Sequence, residues 1–339
     1  MKNHFKLLAV CAVFAFCACS NLPAPKSTFT FTANPLVPNY FTSDPAPMVV
    51  GNTLYLYTGH DECYEDRPGY EGKYGYNLTN WLAFSTKDMI HWNDYGVVLT
   101  PTDLAYGEGE AWAAQMLHYK GKYYYFVSMQ AGEPYGTKVI SVGVGDSPVG
   151  PFTDHIGAPL VSDDMTDNGP RGWWNDIDPT VLVDTDGSVW MSWGNGSCFL
   201  AKLTEDLKAI DGEIITLNVP QYIEGPWLAK RGDLYYLVYA GFGGRPQPGQ
   251  GFGEVLNYAV AKSITGPWEF RGQLRGTSEN SFTTHPAIVE FKGEWYLFTH
   301  DGTQVIDGVN GSGGRRSVII ERLEFDADGN MKPLPFFEK

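Results

Sequence analysis

The chain has 339 residues and a formal net charge of −15, a balance that disfavours nucleic acid or an anionic lipid surface as a partner. Its hydrophobic fraction of 43% is ordinary for a globular protein, but 20 Tyr, 19 Phe and 10 Trp make it rich in aromatics. The 39 Gly and 22 Pro fall singly between short apolar runs, and long runs with apolar residues at three- and four-residue spacing are missing. That punctuation predicts an all-β architecture rather than a helical one.

The chain starts with an export signal over residues 1–19. Lys2 and Lys6 give the positive end, and Leu7 to Phe16 is an apolar core too short to anchor in a bilayer. Ala18 before Cys19 matches a lipoprotein-type signal, in which Cys19 carries the lipid; an ordinary secretory signal cleaved nearby is the alternative. The lipid at Cys19 would then be the membrane contact, on a bacterial membrane, periplasmic or at the cell surface. Residues 20–33 read as a flexible tether, and 34–339 as one domain, expected to be a monomer. Of the five Cys, three lie in the signal, leaving Cys63 and Cys198, which are expected to be two free thiols. No Cys/His cluster has zinc spacing.

Five hairpin signatures follow, each with two β-prone runs around a tight turn. They begin at Asp44 (turn Gly51-Asn52), Glu110 (Lys120-Gly121), Asp178 (Asp186-Gly187), Glu224 (Gly232-Asp233) and His285 (Lys292-Gly293). A more polar strand pair comes after each: 81–99, 139–161, 200–217, 256–274 and 316–334. Five copies of a four-stranded unit at this spacing predict a five-bladed β-propeller with four-stranded blades. The first strand of each blade lines the axis of a propeller. Asp44, Asp178, Glu224 and His285 therefore converge at one mouth, although acid-Pro pairs also open strands for turn reasons alone.

Three carboxylates around one pocket suit glycoside hydrolysis, which needs a general acid and a second carboxylate as nucleophile or water activator. Their mutual charge can push their pKa values apart. Trp112, Trp173, Trp174 and Trp227 lie at strand heads, where they can stack on sugar faces or pack between blades. Asp176 rivals Asp178, since strand alternation puts both on one side, but the Asp-Pro register favours Asp178. Asp61 and Glu62 read as loop charges, and His60 beside them is a candidate pocket residue.

Four motifs, Ser43-Asp44-Pro45-Ala46-Pro47, Asn175-Asp176-Ile177-Asp178-Pro179, Tyr222-Ile223-Glu224-Gly225-Pro226-Trp227 and Asn280-Ser281-Phe282-Thr283-Thr284-His285-Pro286, resemble glycoside hydrolase family 43 in order and register. The resemblance runs from about Asn34 to Pro335 and is nearest to arabinoxylan arabinofuranohydrolase and β-xylosidase-like members. It implies an inverting enzyme that releases arabinofuranosyl or xylosyl residues from plant hemicellulose, with Asp44 as general base, Glu224 as general acid and Asp178 as the carboxylate that raises the pKa of Glu224. Arg316, in Arg315-Arg316-Ser317-Val318, resembles the family's substrate-contacting arginine, with Arg315 as its close neighbour, while Trp112 and Trp174 are stacking candidates from their place at strand heads. His285 would sit on the axis near a metal, often calcium, held largely by water; no organic cofactor is implied. Retaining fructan- or sucrose-cleaving propellers start Asn-Asp-Pro-Asn-Gly and carry Glu-Cys, where this chain has Ser-Asp-Pro-Ala-Pro and Glu-Gly. A non-catalytic glycan-binding propeller would normally have lost one of the acids. The loops 63–80 and 241–253 would wall the mouth and select the glycan.

Overall fold

The computed structural model describes residues 22–62, 76–166, 174–242 and 253–334. Residues 1–19, expected to be an export signal, together with Cys63, Trp173 and most of the two loops expected to wall the mouth, lie outside the described residues.

The hairpins form where the turn chemistry puts them. In the first blade β1 (Ser27–Thr30), β2 (Thr42–Val50), β3 (Thr53–Asp61), β4 (Leu78–Thr86) and β5 (His91–Leu99) make one antiparallel sheet in the order β1-β5-β4-β3-β2. The second blade contains β6 (Gly107–Gly109), β7 (Ala114–Tyr119), β8 (Lys122–Ala131), β9 (Lys138–Gly145) and β10 (Thr153–Asp154). The third is the meander β11 (Thr180–Val183), β12 (Val189–Trp193), β13 (Cys198–Lys202), β14 (Ile215–Leu217). The fourth is the meander β15 (Tyr222–Arg231), β16 (Leu234–Gly241), β17 (Val255–Ala261), β18 (Glu269–Arg275). The fifth pairs β19 (Ala287–Phe291) with β20 (Glu294–Asp301), crosses the small hairpin of β21 (Val305–Ile306) and β22 (Val309–Asn310), and returns as β23 (Ser317–Leu323) beside β20. Two of the turns show why their residues were chosen: Lys120-Gly121 and Lys292-Gly293 both have positive φ at each position, the twist that suits a two-residue hairpin.

The inner strands pack in a closed cycle, β2 on β7, β7 on β11, β11 on β15, β15 on β19, and β19 back on β2. That cycle makes the molecule a five-bladed β-propeller. The ends of the chain close the ring. Leu36 N donates to Val318 O at 2.7 Å and Asn34 Nδ2 to Ile320 O at 2.8 Å, so the entering chain runs along the fifth blade before it starts the first.

The tether expected over 20–33 is corrected at its centre. Ser27–Thr30 is a strand, paired from Ser27 with Asp94 to Thr30 with His91. Ser-Thr-Phe-Thr alternates with the strand period, and Phe29 stacks on Trp92 with ring centroids 6.2 Å apart.

The aromatic excess goes chiefly into the spaces between blades. Trp81, Trp92, Trp193, Tyr57, Tyr125, Tyr236, Tyr239, Phe84, Phe126 and Phe298 are fully buried. Each such ring removes a large apolar area from water, at about 25 cal/mol per Å². Several of their polar atoms donate to carbonyls of neighbouring segments, such as Tyr57 to Pro148 O and Tyr239 to Pro220 O, both 2.7 Å, whereas the buried Tyr125 hydroxyl has no partner among the described residues. Trp227 belongs to this set. It is buried, and its Nε1 donates to Ile288 O of the fifth blade at 2.9 Å. Cys198 is a free, buried thiol whose pKa burial pushes up to about 12.

Candidate active site

The heads of the inner strands bend out of their ladders. The pairing of β2 with β3 skips between Ser43 and Ala46, and that of β15 with β16 skips between Glu224 and Trp227. At these bulges the chain turns left-handed, with φ of 49° at Asp44 and 59° at Gly225; Asp178, ahead of β11, has 61°. Left-handed aspartates are uncommon and cluster at functional sites. The register also moves one residue. Asp44-Pro45, Asp178-Pro179, Gly225-Pro226 and His285-Pro286 are the equivalent pairs, so Glu224 stands one position before the head that Asp44 and Asp178 occupy. The prolines carried that signal, and matching acid to acid hid it. Glycine suits position 225 because φ is +59° there and a Cβ would crowd His285 Nδ1 at 3.1 Å.

Neighbouring blades hold the three turned backbones. Asp44 N–H donates to His300 Nδ1 at 3.3 Å, Asp178 N–H to Ser128 Oγ at 2.8 Å, and Gly225 N–H to Asp178 Oδ2 at 3.0 Å. The result is a cavity of about 200 Å³ at the mouth of the ring, walled by Asp44, Asp178, Glu224, His285, Arg316 and the two indoles Trp112 and Trp174 among others. At about 30 Å³ per water that volume displaces six or seven waters, a space on the scale of one sugar ring.

Charge divides the carboxylates. Burial raises the pKa of Asp44, but nearby positive charge, Arg316 above all, outweighs it and holds the carboxyl below its usual range. Burial also pushes His300 down to about 3 and lowers His285, so both imidazoles are neutral near pH 7. Arg316, with Nη1 3.2 Å from Asp44 Oδ1, is then the cation that keeps Asp44 ionised. Asp178 behaves oppositely. Burial first, then the negative charges of Glu224 and Asp44, drive its pKa well up against the opposing Gly225 N–H. Asp178 and Glu224 therefore disfavour a double negative charge in this wall, whereas Arg316 favours the charged form of Asp44.

The structure brings Asp44, Asp178, Glu224, His285, Arg316, Trp112 and Trp174 together. Trp112 and Trp174 lie 6.3 Å apart at 48°, two tilted faces of one wall. His60 is not brought in. Its ring meets Tyr40 edge-on at 5.4 Å and its Nδ1 lies 3.2 Å from Asn80 Oδ1, off the cavity lining. Asp176 is also elsewhere. The left-handed turn at Asp178 breaks the strand alternation that would have aligned them, and Asp176 accepts bonds from Trp193 Nε1 at 2.8 Å and Thr166 Oγ1 at 2.8 Å in the interior.

Asp61 was read as a loop charge and is instead buried beneath Arg316. It accepts Arg316 Nε at 2.8 Å and Nη2 at 3.0 Å, a two-pronged carboxylate–guanidinium pair. Three further residues went unread: Asn195, which donates to Glu224 Oε2; Glu254, which lines the cavity and accepts Thr284 N–H at 3.2 Å; and Tyr76, whose ring lies 4.6 Å from the Arg316 guanidinium. Asn195 had a local signal, since Gly194-Asn195-Gly196 is a hairpin turn between two apolar runs.

Calcium has a narrow fit here. Among the described residues no three His, Cys, Asp or Glu converge as a metal-binding group. Hard cations take six to eight oxygens, whereas His285 offers one neutral nitrogen. A protein-built calcium cage does not fit; only an ion that keeps most of its water would.

A closed propeller whose axis carries three carboxylates, two of opposite pKa tendency, between a guanidinium and paired indoles is the framework of a glycosidase. Comparison with known proteins narrows the class. Glycosyl hydrolases family 43 matches residues 32–331, and the chain belongs to that family. It is 28% identical to an arabinoxylan arabinofuranohydrolase of Bacillus subtilis over 88% of this chain and 63% of that one. It is also 28% identical to a xylosidase/arabinosidase of Bacteroides ovatus over 87% of this chain and 95% of that one. Among solved structures, an alpha-L-arabinofuranosidase of Clostridium thermocellum superposes with a TM-score of 0.70 at 28% identity, covering 86% of this chain and 93% of that chain. A beta-xylosidase/alpha-arabinofuranosidase from a compost metagenome, solved with xylotriose in a calcium-free form, gives 0.73 at 22% identity over 91% and 98%. The chain is thus a glycosidase, an enzyme that hydrolyses O-glycosyl bonds.

Proposed function

We propose that this enzyme releases arabinofuranosyl or xylosyl residues from plant hemicellulose, as oligosaccharide or polysaccharide, by a single inverting displacement. The observation that carries the reading is the opposed pair of tendencies in one cavity, with Arg316 favouring the charged form of Asp44 and the Asp178–Glu224 pair resisting a double negative charge. Asp44 acts as general base on a water at the anomeric carbon, kept charged by Arg316. Glu224 gives its proton to the leaving oxygen, and Asp178 beside it resists the loss of that proton before the sugar arrives. As the glycosidic bond breaks, the proton of Glu224 passes to the departing oxygen. The proton of the attacking water passes to Asp44, so charge is conserved across the site. Trp112 and Trp174 stack on the ring and exclude water. Calcium belongs to this reading only as a largely hydrated ion touching His285, and no step is assigned to it. The lipid-anchored location at Cys19 is part of the same proposal, supported by the signal pattern in residues 1–19.

The test is monosaccharide release from arabinoxylan, arabinan and xylo-oligosaccharides by wild type and by Asp44→Ala and Glu224→Ala, with the first-formed anomer read by NMR. Inverted product and loss of release in both variants are expected. Retained configuration overturns the single displacement, and full activity of Glu224→Ala on aryl pentosides overturns the acid assignment.

A further inference from the structure

The loop between β12 and β13 reaches across to the fourth blade. Gly194 has a φ of 123°, and a Cβ there would stand 2.1 Å from Ser197 O; Gly196 has 82°. Only glycines let the chain turn so tightly. The turn is pinned on three sides: Gly194 N–H donates to Ile177 O at 2.8 Å, Asn195 N–H to Asn175 O at 2.9 Å, and Gly196 N–H to Ile223 O at 2.7 Å. Tyr222 Oη closes it by donating to Gly194 O at 2.6 Å. Asn195, at the tip, is thereby fixed in the cavity wall beside Glu224, with a residue exposure of 5%.

Its two amide atoms have different fates. Nδ2 donates to Glu224 Oε2. Oδ1 is buried and has no hydrogen-bond partner among the described residues. A buried carbonyl left unpaired is costly, and such groups need a reason. The residue lines the cavity, where the proposed substrate would bring hydroxyl groups.

We propose that Asn195 is a specificity-determining residue: its Oδ1 accepts a hydroxyl of the sugar in the cavity while its Nδ2 fixes the orientation of Glu224. The second half follows from the bond itself. The carbonyl oxygen of a protonated carboxyl is the better acceptor, so the amide hydrogen on Oε2 favours the acid proton of Glu224 on Oε1. One rigid amide then ties the presence of a correctly placed hydroxyl to the aim of the acid. The proposal deepens the glycosidase reading and rests on it.

The experiment is a cycle of two changes. Wild type, Asn195→Ala and Asn195→Ser are assayed on 4-nitrophenyl α-L-arabinofuranoside and β-D-xylopyranoside and on their monodeoxy analogues. For one ring position, removal of the hydroxyl should lower wild-type kcat/KM by about tenfold, and the same removal should have little further effect in Asn195→Ala. Non-additivity confined to one position is not produced by a merely structural role. On the parent glycosides, Asn195→Ala should raise KM and lower kcat together, since both the sugar contact and the aim of the acid are lost. If every deoxy penalty is the same in wild type and in both variants, the proposal is overturned. If Asn195→Ala fails to fold, the serine variant decides, because its shorter side chain keeps a polar atom but cannot reach both partners. Full activity of Glu224→Ala would instead overturn the underlying reading, and leaves a distinct signature because the deoxy cycle does not depend on that variant.

Discussion

Asp176 and Asp178 are two residues apart, both buried, and both shifted toward the neutral form, yet they have opposite employment. Asp178 sits in a left-handed bend at the cavity, where burial first and then the charges of Glu224 and Asp44 push its pKa up, and the Gly225 N–H and Arg316 oppose them. Asp176 faces the interior, where its hydrogen-bond partners are neutral donors and the charges of Asp163 and Asp164 add only a smaller upward push. Burial raises it to about 6, and Trp193 and Thr166 restrain the rise. Neither burial nor a perturbed pKa marks a functional carboxyl in this molecule. What marks it is a second titratable group across a cavity, and a backbone bent to put it there.

The contrast can be broken most directly by neutralising each in turn. Asp178→Asn should lower kcat/KM on aryl pentosides by about 10²- to 10⁴-fold, the range of a general acid–base contribution. Its alkaline limb should move to lower pH, since the repulsion that helps hold the proton on Glu224 is gone. Asp176→Asn in the same assay should stay within about threefold of wild type. Equal losses in the two would dissolve the distinction.

Asp61 sharpens it from another side, being as buried as Asp176 but paired to a cavity cation. Asp61→Ala leaves a buried guanidinium short of its main partner. Urea unfolding should show a loss of about 3–5 kcal/mol, and kcat/KM should fall with it because Arg316 no longer holds its place against Asp44. An unaltered unfolding midpoint would show that the pair is not structural.

The stability of Asp176 itself gives a smaller, signed effect. Its folded pKa, about 6, lies above the ordinary 3.8, so the folded state binds more protons between those values. Stability from this group therefore falls as pH rises through that window and remains lower above it. Asp176→Asn keeps an acceptor for Trp193 and removes the slope, so it should gain up to about 2–3 kcal/mol near pH 8 and nothing at pH 3, at roughly 1.4 kcal/mol per pKa unit. Thermal unfolding at both pH values checks it. The least effect is expected at His60, whose ring packs on Tyr40 away from the cavity. His60→Ala should change kcat/KM by less than about twofold, and a larger loss would place the residue on the sugar's path.

Much of this site was legible because its signals are short. Asp44-Pro45 and Asp178-Pro179 announce the heads of strands, and Arg316 precedes a clear β-run. The misreadings share a cause. His60 and Asp61 are adjacent in a strand, so they face opposite ways, and only the incoming Arg316 decides that Asp61 is the buried one. Asp176 was aligned with Asp178 by a strand period that the bend interrupts. Ser27–Thr30 carried its alternation openly, but a four-residue strand has no stability until β5 offers an edge.

By itself the sequence determined the strands, their turns and the number of blades, because hairpin chemistry is local: a glycine with positive φ and an alternating run on either side need no distant partner. The tertiary structure alone decided which carboxyls share a cavity and which of them stays charged. Asp44, Asp178, Glu224 and Arg316 are far apart in the chain and meet only when the ring closes. Their ionisation depends on distances and burial that no local pattern encodes. Closure also turned Asn195 from a turn residue into part of the cavity wall.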